Sequence, residues 1–246
     1  MNTLTPGKTA TAAIQEGVIE KNAFPGLSFE AAERYVNDVI TYDDALRAND
    51  FLVPALLRVF PLRSEDGSYS VVQVSDVVNG YDLDSPHADR LSAMQDAIRL
   101  VVDSPVDRHG NMHVPVDAKP ANFMTDGHLT YFVDTLPPLV AAGRGEFPYH
   151  YMSNGARINH EWVDRYVRSQ TGAAARFIGM GLRNDITHAP RILTNRGRLD
   201  NHLEELFAKV DDGTEKSKII TETRKKVVPF MGFTVLRAGY NRLARR

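Results

Sequence analysis

Asp117 and Asn122 stand five residues apart in Asp117-Ala118-Lys119-Pro120-Ala121-Asn122, and Asp134 follows twelve residues after the asparagine, closing the run Leu129 to Val133. These residue types and spacings suit phosphoryl transfer. Such chemistry needs a carboxylate beside the attacking hydroxyl and, on the same loop, an amide oxygen able to hold magnesium. A second carboxylate must reach that metal from the far side of the nucleotide, and a short hairpin is the simplest way to return it. Thr125-Asp126-Gly127-His128 supplies the turn, since Asp-Gly between two apolar runs is a strong hairpin signal. Phe123 and Met124 lead in, Leu129 to Val133 lead out, and Asp134 is thereby expected beside Asn122. An isolated Asp-x-x-x-x-Asn carries little weight, because both residues populate turns for backbone reasons. The weight comes from the composite with Lys119, Pro120, the hairpin and Asp134.

At these residues the chain resembles the protein-kinase-like superfamily, and within it the aminoglycoside phosphotransferase and choline kinase branch, with a shortened N-lobe. The matching residues are Asp117, Lys119, Asn122 and Asp134. The resemblance implies a catalytic base or substrate-orienting carboxylate at Asp117, a contact from Lys119 to the transferring phosphate, and magnesium ligands at Asn122 and Asp134. ATP and Mg2+ are the cofactors it implies. The implied activity is phosphorylation of a hydroxyl on a small molecule such as an antibiotic, a sugar, a nucleoside or a metabolite. A catalytically inactive nucleotide- or ligand-binding protein of the same fold is the alternative. The sequence departs from the family pattern in three places. Lys119-Pro120 looks like the protein-kinase version of the loop, Pro115 stands where the family usually has His or Tyr, and Thr135-Leu136-Pro137-Pro138 follows Asp134 in place of Phe-Gly. Small-molecule acceptors are favoured over proteins because the chain has no Ala-Pro-Glu activation segment.

The elements that would position these residues follow from periodicity, and they give an α+β, bilobal expectation: a reduced N-lobe over 1–78 and a helical C-lobe over 79–246. Short β-branched runs at Thr9 to Gln15 and Gly17 to Ala23 read as strands. Ser28 is a good N-cap, and Ala31, Ala32, Tyr35, Val36, Val39 and Ile40 recur at helical spacing, so a helix is predicted over Phe29 to Arg47. Strands follow at Leu52 to Phe60 and Tyr69 to Val78, joined by Glu65-Asp66-Gly67-Ser68. Val77 to Leu83 resembles the linker between lobes, which places adenine along Val74, Asp76 and Val78 by backbone contacts. His87 to Val102 is amphipathic, a core helix under the catalytic loop. Beyond a loop over Pro137 to Tyr151, helical patterns appear at Ile158 to Gln170, near Ala173 to Met180, at Arg198 to Val210 and at Ile219 to Val227.

No glycine-rich loop precedes the candidate lysines. Lys21, closing an apolar run just before the first helix, is the expected nucleotide-phosphate lysine, with Lys8 as its rival. Glu33, Asp38 and Asp43 all lie on that helix as candidates to pair with the lysine, and periodicity does not choose among them. His109 and His113 lack the intervening Glu of a zinc-protease helix, Ser153-Asn154-Gly155 reads as a turn, and Gly179-Met180-Gly181 as a helix end. The C-terminal stretch from Lys216 is basic with interleaved apolar residues and is expected to pack on the C-lobe, with contact to an anionic substrate, a membrane surface or RNA as the alternative.

Composition bounds the remaining classes. The chain of 246 residues is 43% hydrophobic, enough for a sizeable core, and its net charge of −2 gives no global attraction to nucleic acid or anionic membranes. Having no cysteine, it can form neither disulfides nor thiolate metal sites. Met1 to Pro6 shows no basic-then-apolar leader, and no segment reaches the roughly 18 apolar residues of a membrane span, so a cytoplasmic location is expected.

Overall fold

A computed structural model describes residues 2–3, 10–137, 164–188, 196–211, 213, 215–225 and 227. Its first part is an antiparallel sheet of five strands crossed by one helix. The strands are β1 (Asn2–Thr3), β2 (Ala10–Gln15), β3 (Val18–Leu27), β4 (Leu56–Arg63) and β5 (Tyr69–Asp76), and they lie in the order β1-β2-β3-β5-β4. Between β2 and β3 the chain reverses through Glu16 and Gly17, both at positive φ, 51° and 82°, the backbone twist that two-residue hairpins require. Strand β5 pairs with β3 on one side and β4 on the other, so Gln73 lies opposite both Lys21 and Val59.

Helix α1 (Phe29–Ala48) starts at Ser28, whose side-chain oxygen accepts from the Ala31 amide at 3.2 Å, the cap expected of that residue. Its inward face is built by Tyr35, Val39, Tyr42 and Leu46, at helical spacing. Tyr35 and Val39 close the core of the sheet with Ala23, Phe24, Val71 and Leu136. Tyr42 and Leu46 belong to the second, larger core, so this one helix is packed into both.

The second part begins where the chain leaves the first sheet. Strand β6 (Tyr81–Asp82) pairs with β7 (Phe123–Thr125), and β7 pairs with β8 (Thr130–Phe132) to form a small antiparallel sheet in the order β6-β7-β8. Gly80 enters it so closely that a Cβ there would stand 2.0 Å from the Thr125 carbonyl oxygen; only glycine fits. Helix α2 (Arg90–Asp103) buries Ala93, Met94, Ala97, Ile98 and Val101 against α3 (Gln170–His188), while α4 (Arg196–Leu206) and the helical residues 215–225 add Leu199, Leu203, Ile219 and Ile220.

Most predicted elements appear within a few residues of their expected bounds. Gly179-Met180-Gly181 is a correction, since it lies in the middle of α3 instead of ending a helix. The reason is packing: Gly181 faces α2, where a Cβ would meet the end of the Met94 side chain, Cε, at 2.5 Å. The helix predicted over Ile158 to Gln170 is seen only from Asp164, as a single π turn to Arg168 ahead of α3. The loop beyond Pro137, the turn at Ser153 to Gly155 and most of the basic C-terminal stretch lie outside the described residues, as does Lys8. Where the basic stretch is described, Lys216 pairs with Glu204, Arg224 with Asp200 and Lys225 with Glu222, packing it onto α4 and its own helix. Among the described residues no helix is long and apolar enough to cross a membrane.

Candidate active site

The loop that carries Asp117 is held from two directions. Val114 and Val116 are buried in the larger core, and Tyr42 on α1 donates its hydroxyl hydrogen to the Pro115 carbonyl at 2.8 Å. The Ala118 amide then bonds back to the Val116 carbonyl at 2.9 Å, a three-residue turn that puts Asp117 at its apex. Lys119 is extended, as a residue preceding proline prefers, and Pro120 opens a 3-10 turn that ends at Asn122.

Asn122 is the junction of the site. Its side chain is only 6% exposed, and its Nδ2 donates to the Asp117 carbonyl at 2.8 Å and to Asp134 Oδ2 at 3.0 Å. Its carbonyl accepts from the Val133 amide at 2.8 Å. The register of the hairpin explains this: Phe123 faces Phe132, so Asn122 must face Val133 and Asp134 follows. At the tip, Asp126 Oδ1 accepts from the His128 and Leu129 amides at 2.8 Å each, and Gly127 sits at φ 93°, the turn chemistry that the sequence announces. The predicted meeting of Asn122 and Asp134 is therefore present.

Lys21 reaches this cluster from β3. Its Nζ donates to the Val133 carbonyl at 2.7 Å, and the charges acting on it are those of Asp134 and Lys119. Burial pushes its ammonium below the ordinary lysine value, with Asp134 opposing. Asp134 is shifted the other way. Burial raises its carboxyl above the usual range and the Asp117 charge adds to this, while Lys21, Lys119 and the Asn122 hydrogen bond oppose. Lys119 Nζ stands 3.4 Å from Asp117 Oδ2. As placed, Asn122 turns its Nδ2 toward both carboxylates; with that amide turned over, its Oδ1 would join the Asp134 carboxylate as the hard-oxygen donors that fit Mg2+. Among the described residues no group of three or more His, Cys, Asp or Glu gathers, so phosphates and water would have to complete the coordination, as is usual for this ion.

The expected pairing of Lys21 with a helix carboxylate is not formed. Glu33 is exposed, Asp43 is bound by Arg47 one turn further along at 2.7 Å, and Asp38 is half-buried with its carboxyl raised by burial. The helix turns tyrosines toward the site, and Tyr35 and Tyr42 both feel the Asp134 charge after the larger effect of their own burial. Of the expected adenine contacts, Val74 lies inside β5, paired with Glu20 and Arg58 on its two sides, so its backbone serves the sheet. Asp76 ends β5, and 77–79 run outside any strand before Gly80, which leaves Val78 as the expected residue nearest to an open backbone.

Two residues escape the sequence reading. Arg176 on α3 donates from Nη1 to Asp117 Oδ1. Its signal lies in the sequence, because it is the sole charge between Gln170 and Leu182, a stretch whose Ala173, Ala174, Ala175, Phe177, Ile178 and Leu182 are all buried. Gln73, fully buried on β5 across from Lys21, donates from Nε2 to Thr135 Oγ1 at 2.5 Å and ties the sheet to the segment after Asp134.

No family model matches the chain, and no curated protein matches it. Solved structures do. A WaaP protein in complex with acyl carrier protein is similar at 12% identity and a TM-score of 0.42 over 97% of this chain and 87% of its own. A MAP kinase from Leishmania major is similar at 11% identity and 0.38 over 92% and 77%, and a choline/ethanolamine kinase family protein from Mesorhizobium loti at 11% and 0.27 over 92% and 93%. Independently of those likenesses, the chain's own order of parts is protein-kinase-like: a lysine on the third strand, a helix after it, an Asp117 to Asn122 loop, and a hairpin returning Asp134.

Proposed function

We propose that this protein is an ATP- and magnesium-dependent phosphotransferase acting on a hydroxyl of a small molecule. The observation that carries the reading is the junction at Asn122, which joins Asp117 and Asp134 while Lys21 approaches from the sheet. Asn122 and Asp134 would hold magnesium, which when bound neutralises charge on the phosphates of ATP. Lys21 and Lys119 add fixed positive charge where the transferring group passes. Asp117 orients the acceptor hydroxyl and takes its proton as the oxygen bonds to the γ-phosphorus and the bond to the β-phosphate oxygen breaks, releasing ADP. Adenine is assigned to the backbone at 77–79, displaced from Val74 and Asp76 toward Val78. The lobes divide at 78–79, the use of ATP suits a cytoplasmic location, and neither a nucleic-acid partner nor a membrane span is expected.

A binding protein without catalysis is the second reading. It is favoured by Lys21, which donates to a backbone carbonyl and has no helix carboxylate acting on it. A thermal-shift series with ATP, with and without Mg2+, separates the two. Metal-dependent stabilisation by ATP that disappears in Asp134→Asn supports transfer, stabilisation indifferent to metal supports binding alone, and no shift with ATP rejects both.

A further inference from the structure

We infer that Arg176 is the positioning residue that sets the Asp117 carboxylate for transfer, an inference that rests on the phosphotransferase reading of the same site. Arg176 sits in Ala173-Ala174-Ala175-Arg176-Phe177-Ile178, where every neighbour is buried. A guanidinium on such a surface costs desolvation unless an acceptor meets it. Asp117 is an acceptor for it: the arginine side chain is 15% exposed, and its Nη1 donates to Oδ1.

The other contacts of that carboxylate lie at the outer limit of hydrogen bonding. Lys119 Nζ and Asn122 Nδ2 each stand 3.4 Å from Oδ2. Asp117 occupies the tip of a tight turn and keeps 25% of its side chain exposed, so its backbone alone does not select a rotamer. Arg176 does, by fixing one oxygen from outside the loop and leaving the carboxylate reachable. The support beneath Arg176 is rigid. Phe177, its neighbour on α3, packs edge-on against Phe123 with ring centres 5.2 Å apart, and Gly181 of the same helix faces Met94 on α2. A site held by a packed helix keeps its geometry better than one held by its own loop. Arg176 acts through Asp117, with no assigned contact to the reacting atoms.

The test is steady-state turnover of Mg-ATP, followed as γ-phosphate consumption, with an acceptor found by screening hydroxylated metabolites. Arg176→Gln is expected to lower kcat about 100-fold, the scale on which a small misplacement of a catalytic group acts, with KM for ATP within about twofold of the starting protein. Arg176→Lys, which keeps the charge, is expected to recover part of the loss and to melt near the parent, so the inference stays testable if the glutamine variant folds poorly. In an Asp117→Asn background, Arg176→Gln or Arg176→Lys is expected to cost nothing further, because the arginine has no carboxylate to place. A kcat unchanged in both single variants would overturn the inference, as would a fully additive loss in the double variants, which would make Arg176 a contact to phosphate or acceptor in its own right. Those failures leave a parent that turns over ATP. A parent without metal-dependent turnover on any acceptor would instead remove the phosphotransferase reading, and the inference with it.

Discussion

At the scale of single residues, Asp134 is held in a form that disfavours its own charge. Burial raises its carboxyl, and the opposing pull of Lys21 does not cancel this. A carboxylate whose folded-state value lies above the unfolded one binds its proton more tightly in the native protein, so its ionisation lowers stability as pH rises. Below the ordinary carboxylate value Asp134 is protonated folded or unfolded, and the penalty vanishes. The melting temperature of Asp134→Asn should therefore gain on that of the parent, without ligand, as pH rises from the ordinary Asp range toward neutrality. Melting curves between pH 4 and 8 check this; a difference that grows toward acid would refute it. The same substitution should abolish stabilisation by Mg-ATP, so the site holds a charge that is costly until a cation meets it.

Among the elements, α1 decides whether the catalytic loop is in place. Tyr42 crosses from the helix to the Pro115 carbonyl, which is buried and has its polar atom satisfied there. Tyr42→Phe keeps the ring and removes one bond, so it should destabilise by about 1–3 kcal/mol, the cost of a buried acceptor left unsatisfied. Urea titration measures that cost. Turnover should fall further than the stability loss explains, because the bond lies two residues from Asp117. This anchor also shows what a sequence can and cannot disclose about an element. Ser28 and the apolar spacing locate α1 to within a residue, since caps and periodicity are local. That its inner face presents Tyr35 and Tyr42 to the site, with Asp43 turned to Arg47, depends on the rotation of the helix against a loop 73 residues away.

Across the whole molecule, two cores share one helix. Phe24 is buried in the core of the sheet and Phe177 in the helical core, and α1 contributes to both. Phe24→Ala and Phe177→Ala should each cost about 3–5 kcal/mol. If α1 couples the cores, each should move one common calorimetric transition; two transitions shifting separately would show the parts to be independent. The sequence by itself determined the α+β class, four of the five strands of the larger sheet in outline, the hairpin and the contact between Asn122 and Asp134, because turn chemistry and strand register act within a dozen residues. Only the tertiary structure decided what stands around Asp117. Lys21 comes to Val133 from 112 residues away and Arg176 to Asp117 from 59, and neither distance leaves a local pattern. A buried charge needs a partner, but periodicity says only that it is buried; which opposite charge meets it is settled when the helices and sheets pack.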